Sequence, residues 1–507
     1  MADSSKVRSV GNAGVIPTAD STPNIEPSNK LSGESIKDRF GIKSPVFAEI
    51  FGELEANLHA NPDNCQELLG EWGGAFTLIS RKTHQDQSTQ ETLFLQQTYL
   101  ALFVQCVLAS RFVPNSCDGK SNPFPELKNL ILERNLDLAN PPFFKWAEEI
   151  PEARTVLFQE LRGATFQAGD LFSALYQDVT TPANRHNLGE FYTPPELARQ
   201  MIQETYQFGT VTLDPACGSG TFLVELQAHI LASDHALDEK FAALANVYGF
   251  DVSPLAVLVS KANILLGIAD LVWHNIPLNV YLRDFLFPNI ESLDQNAQEI
   301  PHLRDPPEVD LLIGNPPWLV LNGIASITYK QQVKDLARDL GIMMGGKHAT
   351  HTELVALFFY QGAKCYVKEG GRIFFVATAG LLSGDQHSKF RQFVGFRNPF
   401  AWIFDQDVFR IHNICLGVEK GLQHLPDRVK VAVYPFKVSA ENGGAVFEKG
   451  PVVTYIPYNL QEIHSDNDIV KRLIPQDEVL RILPPGKSEY YDQFFQGASL
   501  VPRQFLF

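Results

Sequence analysis

Two kinds of hydrophobic pattern divide this chain. From about residue 36 to 185, apolar residues recur every three or four positions, as in SPVFAEIFGELEANLHA (44–60) and TQETLFLQQTYLALFVQCVLA (89–109). This spacing matches one face of an α-helix and predicts a helical region. The first 35 residues are rich in Ser, Asn, Pro and Gly and show no period, which predicts a disordered tail.

After Thr210 short apolar runs alternate with helical stretches. The runs are TVTLDPA, VYGFDVS, NVYLRDF, VDLLIGNPP, GRIFFVATA, FAWIFDQ and NICLGVE. Strands separated by helices predict crossover connections, and therefore an α/β fold with a parallel, doubly wound sheet. Two later stretches, DRVKVAVYPFKV and GAVFEKGPVVTYIPY, predict a small β-rich region over 426–507.

Composition and charge narrow the class of protein. The chain has 507 residues, of which 45% are hydrophobic and 20% charged, enough for two or three domains with sizeable cores. The formal net charge of −16 disfavours contact with nucleic acid unless a basic cleft or a basic partner supplies the attraction. The six cysteines form no Cys-x-x-Cys pair, which is typical of reduced thiols in a cytosol.

The amino terminus has no apolar signal core, and the long apolar run at 92–112 contains three glutamines. That run predicts a buried helix in preference to a membrane span. We therefore expect a cytoplasmic protein that does not enter a membrane.

Three acidic residues follow predicted strands and point to a ligand site. Asp214 precedes the glycine-rich turn 218–220, where glycines let a ligand approach the backbone, although an ordinary strand-to-helix turn has the same sequence. Asp251 ends the next strand, the position from which an acidic side chain binds ribose hydroxyls in nucleotide-binding folds, or caps the following helix. Asp284 ends a third strand, where it either accepts a hydrogen bond from an adenine amino group or simply forms a turn.

The stretch EVDLLIGNPPWLVL carries the most specific chemistry. A predicted strand leads directly into Asn315, Pro316, Pro317 and Trp318 at the carboxyl edge of the sheet, where open α/β folds bind ligands. The Asn315 side-chain oxygen and the Pro316 carbonyl can each accept one N–H of an amino group and draw its nitrogen toward tetrahedral geometry. The prolines fix the backbone, and Trp318 offers a face on which an extruded base can stack.

The same tetrapeptide pattern occurs at Asn140–Phe143, in LANPPFF. A charged helical stretch precedes this copy, and no strand leads into it. Because Asn-Pro commonly begins a turn, we expect this copy to end a helix and to have no catalytic role.

Five motifs in order resemble the amino-methylating DNA adenine methyltransferases of bacterial restriction-modification systems, in the gamma-class arrangement. They are GEFYTPPELARQMI, DPACGSGTFL, GFDVSPLAVLVSKANI, LRDFL and GNPPWL. The resemblance covers roughly 186–425 and implies a Rossmann-like class I methyltransferase sheet preceded by the all-α region at 36–185. It also implies that 426–507 leads toward a target-recognition domain, most of which this chain lacks.

The resemblance implies a role for each matched residue, with S-adenosylmethionine as cofactor. Its methionine end would lie against Phe191, Tyr192, Thr193 and Pro194, and beneath it would lie Asp214, Ala216, Cys217 and Gly218. Asp251 would hold the ribose hydroxyls, and the cofactor adenine would contact Asp284 and Phe285. The target adenine would meet Asn315, Pro316, Pro317 and Trp318, with Phe409 stacking on its other face.

The implied substrate is double-stranded DNA, with a separate specificity chain as a further partner. Methylation of RNA or of a protein glutamine through the same tetrapeptide stays open, as does a non-catalytic subunit. We expect no metal site, since His348 and His351 have no supporting ligands nearby. We also expect no DNA cleavage, since the one nuclease-like pattern, Glu126 to Lys128, has no strand around it.

Overall fold

The computed structural model describes residues 30–60, 62–76, 87–117, 121–133, 141–179, 191–274, 276–288, 308–345, 350–406, 408–409, 411–421, 430–441, 444–459 and 471–476. Asn140, His348 and residues 1–29 of the predicted disordered tail lie outside these ranges. The predicted end of that tail at residue 35 was wrong, because Lys30–Leu31 form a short strand and a helix begins at Gly33.

Helices form the first part of the described chain. They are α1 (Gly33–Phe40), α2 (Pro45–His59), α3 (Pro62–Phe76), α4 (Gln87–Phe112), α5 (Phe124–Glu133), α6 (Pro142–Lys145), α7 (Pro151–Glu160) and α8 (Ser173–Val179). Local sequence explains where several begin: the Ser44 side chain accepts a hydrogen bond from the Phe47 amide, and Pro45 occupies the first turn of α2. A short parallel pair, β1 (Lys30–Leu31) and β2 (Thr165–Phe166), ties the start of this region to its end.

Helix α4 is the centre of the helical region. It is long and apolar enough to cross a membrane, but 89% of its most apolar window is buried inside the protein. Tyr99 shows the packing: its ring lies 4.8 Å from that of Phe47, and its hydroxyl donates a hydrogen bond to the Phe40 carbonyl. The predicted buried helix is therefore observed.

A large sheet forms the second part. Its strands are β3 (Thr212–Asp214), β4 (Val247–Asp251), β5 (Val280–Leu282), β6 (Val309–Gly314), β7 (Val367–Thr378), β8 (Phe396–Phe404), β9 (Asn413–Lys420), β10 (Val431–Glu441), β11 (Gly444–Lys449), β12 (Val453–Asn459) and β13 (Lys471–Pro475). They lie in the order β13-β12-β10-β8-β9-β7-β6-β3-β4-β5, with β11 paired to β10. All seven strands predicted from apolar runs are present, which confirms the α/β fold class.

Helices cover both faces of this sheet. They are α9 (Pro195–Thr205), α10 (Thr221–Leu231), α11 (Leu237–Leu244), α12 (Pro254–Gly267), α13 (Ile327–Asp339), α14 (Leu354–Cys365) and α15 (Gly380–Ser383). The core on one face includes α9, α10, α12 and the helical region, whereas the core on the other includes α13 and α14. The two regions therefore share a continuous hydrophobic core.

Two features of the sheet differ from the prediction. Strand β9 runs antiparallel to β7 and β8, so the sheet is mixed where a parallel one was predicted. The short connection from β8 to β9 allows an antiparallel return but is too short for a helical crossover. In addition, the β-rich region after 425 joins the main sheet, since β10 pairs in parallel with β8.

Candidate functional site

Four adjacent strand ends place the predicted site residues at one edge of the sheet. Strands β5, β4, β3 and β6 are neighbours and run parallel. Their carboxyl ends lead to Asp284, Asp251, Asp214 and Asn315 respectively. The fold therefore brings together the three acidic residues and the amide that the sequence singled out at separate positions.

The glycine-rich loop between β3 and α10 depends on its glycines for space and for backbone conformation. Gly218 and Gly220 have φ angles of 54° and 93°, values that side chains disfavour. A Cβ on Gly220 would lie 2.5 Å from the Ser260 Oγ of α12. The Gly218 amide donates to Asp251 Oδ2 at 2.9 Å, which holds the loop against the end of β4.

Asp214 is buried between the loop and the tetrapeptide. Its Oδ1 accepts a hydrogen bond from the Ala216 amide at 3.1 Å. A Cβ on Gly314 would lie 2.4 Å from the same oxygen, so the carboxyl group packs directly against the residue before Asn315. Burial, assisted by the charge of Asp251, raises the Asp214 pKa to about 8. A cationic ligand group at this point would relieve that penalty.

Cys217 faces away from the predicted cofactor position. Its side chain packs with Leu223, Val257 and Val280 beneath the loop. Burial raises the pKa of its thiol well above the ordinary value, so the sulfur is a neutral core atom. The side chain of Cys217 therefore belongs to the core, and only its backbone could make the predicted contact with the cofactor.

Asp251 and Asp284 are held by hydrogen bonds at their strand ends. Asp251 Oδ1 accepts from the Ser253 amide at 2.8 Å, while Asp284 Oδ1 accepts from the Leu286 amide at 2.8 Å. The Tyr329 hydroxyl, on α13, donates to Asp284 Oδ2 at 2.8 Å. Burial raises the pKa of both carboxyl groups despite these donors.

The ring of Phe285 is part of the hydrophobic core, so its predicted contact with a cofactor stays a prediction that concerns its backbone. Its ring is 1% exposed and is stacked between Phe358, at 4.9 Å, and Tyr366, at 4.4 Å. Both faces are occupied by core residues, so the ring has no face to offer a cofactor adenine. Asp284 remains at the site edge while its neighbour points into the core.

The Asn315 side chain has a defined orientation. Its Nδ2 donates to the Phe191 carbonyl at 2.7 Å and to Thr193 Oγ1 at 3.1 Å. A carbonyl can only accept, so the nitrogen must face Phe191 and the oxygen must face the other way. That oxygen is buried and makes no hydrogen bond within the described part of the chain. The site therefore presents one oriented, unused acceptor.

Aromatic rings surround Trp318. Phe191 stacks on it at 4.6 Å with an interplanar angle of 28°, and Phe409 meets it edge to face at 5.0 Å. Phe191 thus contacts the tetrapeptide, whereas the sequence placed it against the cofactor. One face of Trp318 is already covered, so a base stacking there would have to exchange with Phe191. The role of Phe409 in base stacking stays a prediction.

The segment 191–194 joins two halves of the site. Thr193 is buried and accepts from Asn315, while Pro194 immediately precedes α9. The Tyr192 hydroxyl bonds with the side chains of Ser173 and Thr221, and Thr221 begins α10 at the glycine-rich loop. Residues 191–194 therefore contact both the tetrapeptide and the loop, and their predicted contact with a cofactor stays a prediction.

Two residues of the site region were not predicted. Asp170, just before α8, accepts hydrogen bonds from Ser219 and Thr221 in the glycine-rich loop. Tyr329 bonds with Asp284 from α13. Asp170 lies in GDLFSALYQDV, where a Gly-Asp pair before an apolar helix was a usable signal, but Tyr329 lies in an ordinary amphipathic helix.

Two of the other sequence patterns lie in the helical region, and the third lies just before α14. Pro142 begins the short helix α6, and Phe143 and Phe144 are buried in the helical region. Glu126 and Lys128 lie on helix α5. His351 is exposed, and no group of three metal-ligating side chains occurs among the described residues.

Comparison with known sequences identifies the segment that contains this site. Residues 167–394 match the family model described as N-6 DNA Methylase. The methylase subunit of the Type I restriction enzyme EcoEI from Escherichia coli is 28% identical over 154 residues, which cover 30% of this chain and 27% of that protein. The Type II methyltransferase M.VspI from Vibrio sp. (strain 343) is 27% identical over 150 residues, covering 29% of each. The predicted resemblance is confirmed for this segment, although the chain matches less than a third of each relative's length.

Solved structures share the fold. A DrdV–DNA complex superposes with a TM-score of 0.54 at 16% identity, covering 79% of this chain and 42% of that chain. The ATP-dependent Type ISP restriction-modification enzyme LlaBIII bound to DNA superposes with a TM-score of 0.50 at 12% identity, covering 77% of this chain and 29% of that chain. Both matches extend well beyond 167–394, so the helical region takes part in the shared architecture.

Proposed function

We propose that this chain, whose residues 167–394 match the N-6 DNA methylase family, transfers a methyl group from S-adenosylmethionine to the 6-amino group of adenine in DNA. The oriented Asn315 amide carries this proposal. Its Oδ1 is buried, unpaired among the described residues and placed at the carboxyl edge of the sheet. Leaving a buried acceptor unpaired costs about 1–3 kcal/mol, which a bound N–H donor would recover.

The acidic side chains fit the proposed cofactor. S-adenosylmethionine supplies an electrophilic methyl group, and it also carries positive charge, a ribose and an adenine. Buried Asp214 would meet the cationic end, because burial raises the pKa of its carboxyl group and a neighbouring positive charge would offset that cost. Asp251 would accept from ribose hydroxyls and Asp284 from the adenine amino group, because a carboxylate has more acceptor positions than the amides and Tyr329 use here.

The tetrapeptide would activate the target amino group by geometry. Asn315 Oδ1 accepts one N–H and the Pro316 carbonyl accepts the other, which weakens delocalisation of the nitrogen lone pair into the base. The nitrogen would then attack the methyl group in line, the methyl–sulfur bond would break to leave neutral S-adenosylhomocysteine, and the nitrogen would afterwards lose a proton to solvent. No covalent enzyme intermediate is needed, in agreement with the neutral, buried thiol of Cys217.

DNA as the substrate and restriction-modification as the setting are part of the proposal. The relatives are named as a restriction-enzyme methylase subunit and a Type II methyltransferase, and both structural neighbours are DNA-bound. With a net charge of −16, this chain has little general attraction for phosphates, so a separate specificity chain would supply part of the DNA contact. A cytoplasmic location in a bacterium or archaeon follows from that role.

Methyl transfer to mixed-sequence duplex DNA tests the proposal directly. Tritiated S-adenosylmethionine would be incubated with the chain, and the DNA digested to nucleosides. Label in 6-methyladenine is the expected result. Label in RNA or in a protein glutamine, when those are offered instead, would identify a different substrate. Cofactor binding without any transfer would indicate a subunit that requires a recognition partner.

Asn315→Ala should abolish transfer, by at least a hundredfold, while changing cofactor affinity little. The substitution removes the unused acceptor but leaves the three acidic residues in place. Transfer and cofactor binding would be measured on the same preparation. Asn140→Ala, in the second copy of the tetrapeptide, is the matched control and should retain activity. Full activity in the Asn315 variant, or loss in the Asn140 variant, would contradict the assignment.

A further inference from the structure

A buried carboxylate joins the helical region to the glycine-rich loop. Asp170 Oδ2 accepts hydrogen bonds from Ser219 Oγ at 2.8 Å and from Thr221 Oγ1 at 2.6 Å. Its Oδ1 accepts from Asn263 Nδ2 at 2.8 Å and from the Ser173 amide at 3.2 Å. Four donors from three separate parts of the chain therefore converge on one side chain.

Asn263, on α12, closes the network. Its Nδ2 also donates to the Ser219 carbonyl at 2.9 Å, and its Oδ1 accepts from the Leu171 amide at 3.0 Å. The same amide group thus holds the loop on one side and the start of α8 on the other. Tyr192 reaches this point as well, through Thr221 and Ser173. The network links the helical region, the loop and the segment 191–194.

Burial of the Asp170 carboxyl group costs free energy that an apolar side chain in the same place would not cost. The donors to Asp170 are all neutral, and burial raises its pKa to about 6 in spite of them. An apolar side chain would pack two helices together without this penalty. A carboxylate can accept hydrogen bonds from two hydroxyl groups of one loop on a single oxygen. An apolar side chain cannot.

We propose that Asp170 is a positioning residue, through which the helical region sets the conformation of the glycine-rich loop and so the affinity for the cofactor. This inference rests on the proposed function, because the loop's ligand is the proposed S-adenosylmethionine. Asp170 engages the loop hydroxyl groups and so fixes the position of the loop backbone relative to the ends of β3 and β4. The helical region is then part of the cofactor site, although it contributes no residue that touches the cofactor.

Asp170→Asn should weaken cofactor binding at least tenfold, because an amide replaces one of the two accepting oxygens by a donor nitrogen, and each oxygen accepts two hydrogen bonds here. Calorimetric titration with S-adenosylmethionine and with S-adenosylhomocysteine would measure the change. The KM for cofactor should rise while kcat at saturating cofactor stays within about threefold. A purely structural defect would instead lower the active fraction, and with it kcat, without moving KM.

Asp178→Asn is the matched control. Asp178 lies on α8, which directly follows Asp170, and it accepts a hydrogen bond from the Ile42 amide at 2.8 Å, away from the loop. This variant should lose a comparable hydrogen bond and some thermal stability, but it should keep the wild-type cofactor affinity. Equal weakening in both variants would show that general destabilisation of the helical region is responsible.

A second pair keeps the inference testable if Asp170→Asn does not fold. Thr221→Val removes the hydroxyl group at nearly constant volume and should weaken cofactor binding, whereas Thr221→Ser should restore it. Wild-type affinity in Thr221→Val, or in a folded Asp170→Asn, would overturn the inference while leaving the proposed function intact. Absence of cofactor binding by the wild-type chain would instead overturn the proposed function.

Discussion

At the scale of single residues, the site is defined by acceptors and carboxyl groups that the protein itself does not satisfy. Asn315 Oδ1 is unused within the described chain, and Asp214 is buried without a cation. The sequence pointed to both residues because each follows a strand. The contact of Asp284 and Phe285 with a cofactor adenine stays a prediction, and for Phe285 the buried ring leaves the backbone to make it.

Asp214→Asn should make the protein less sensitive to pH. The Asp214 pKa is raised from 3.8 to about 8, so the folded protein holds this proton more tightly than the unfolded chain does. Its contribution to stability therefore falls as pH rises from about 4 to 8, by at most roughly 1.4 kcal/mol for each tenfold difference in proton affinity between the folded and unfolded chain. Urea unfolding at pH 5 and pH 8.5 would show a smaller loss for the variant. Parallel losses in both proteins would contradict this.

At the scale of elements, the predicted strands were found because each is a short apolar run between helices. Their order along the sheet was not predictable in the same way. The insertion of β9 between β7 and β8 is set by long-range pairing, such as Phe400 opposite Gly417, which no local pattern records. The second Asn-Pro-Pro-aromatic copy was distinguished by its neighbours alone, since the charged sequence before it predicts no strand.

Gly220→Ala should be far more damaging than Gly341→Ala. Both glycines have positive φ, 93° and 72°, so alanine costs about 1–3 kcal/mol of backbone strain at either position. Only at Gly220 would the new Cβ collide with Ser260, because nothing lies within 4 Å of the corresponding position at Gly341. We expect added destabilisation and at least tenfold weaker cofactor binding for Gly220→Ala, measured by urea unfolding and calorimetry. Equal effects would show that strain alone matters.

At the scale of the whole molecule, the strands after 425 belong to the same sheet as the candidate site. Trp402 on β8 is fully buried, and its ring lies 4.7 Å from that of Phe436 on β10. The sequence could not show this, because β-rich composition does not reveal which sheet a strand joins. The helical region likewise shares a hydrophobic core with the sheet. The predicted domain boundaries therefore mark changes in sequence pattern and do not mark the edges of separate cores.

A chain shortened to end at 425 should therefore fail to fold cooperatively. It would lose β10 and expose the edge of β8 together with the Trp402 ring. A chain ending at 476, which keeps β10 to β13, is the control and should unfold in one sharp transition. Circular dichroism melting and gel filtration would distinguish them. A monomeric, cooperatively melting shorter chain would show that 426–507 forms a separate unit.

The segment 191–194 also has a consequence for kinetics. Phe191 and Thr193 fix the catalytic amide of Asn315, while Tyr192 reaches the loop that would hold the cofactor. One short stretch of backbone is thus shared by two binding events. A cofactor that binds at the loop would fix this stretch, and with it the Asn315 side chain that accepts from the target adenine. The reaction should follow an ordered sequence in which cofactor precedes DNA, and a dead-end cofactor analogue should tighten, not compete with, the binding of the adenine that is to be methylated.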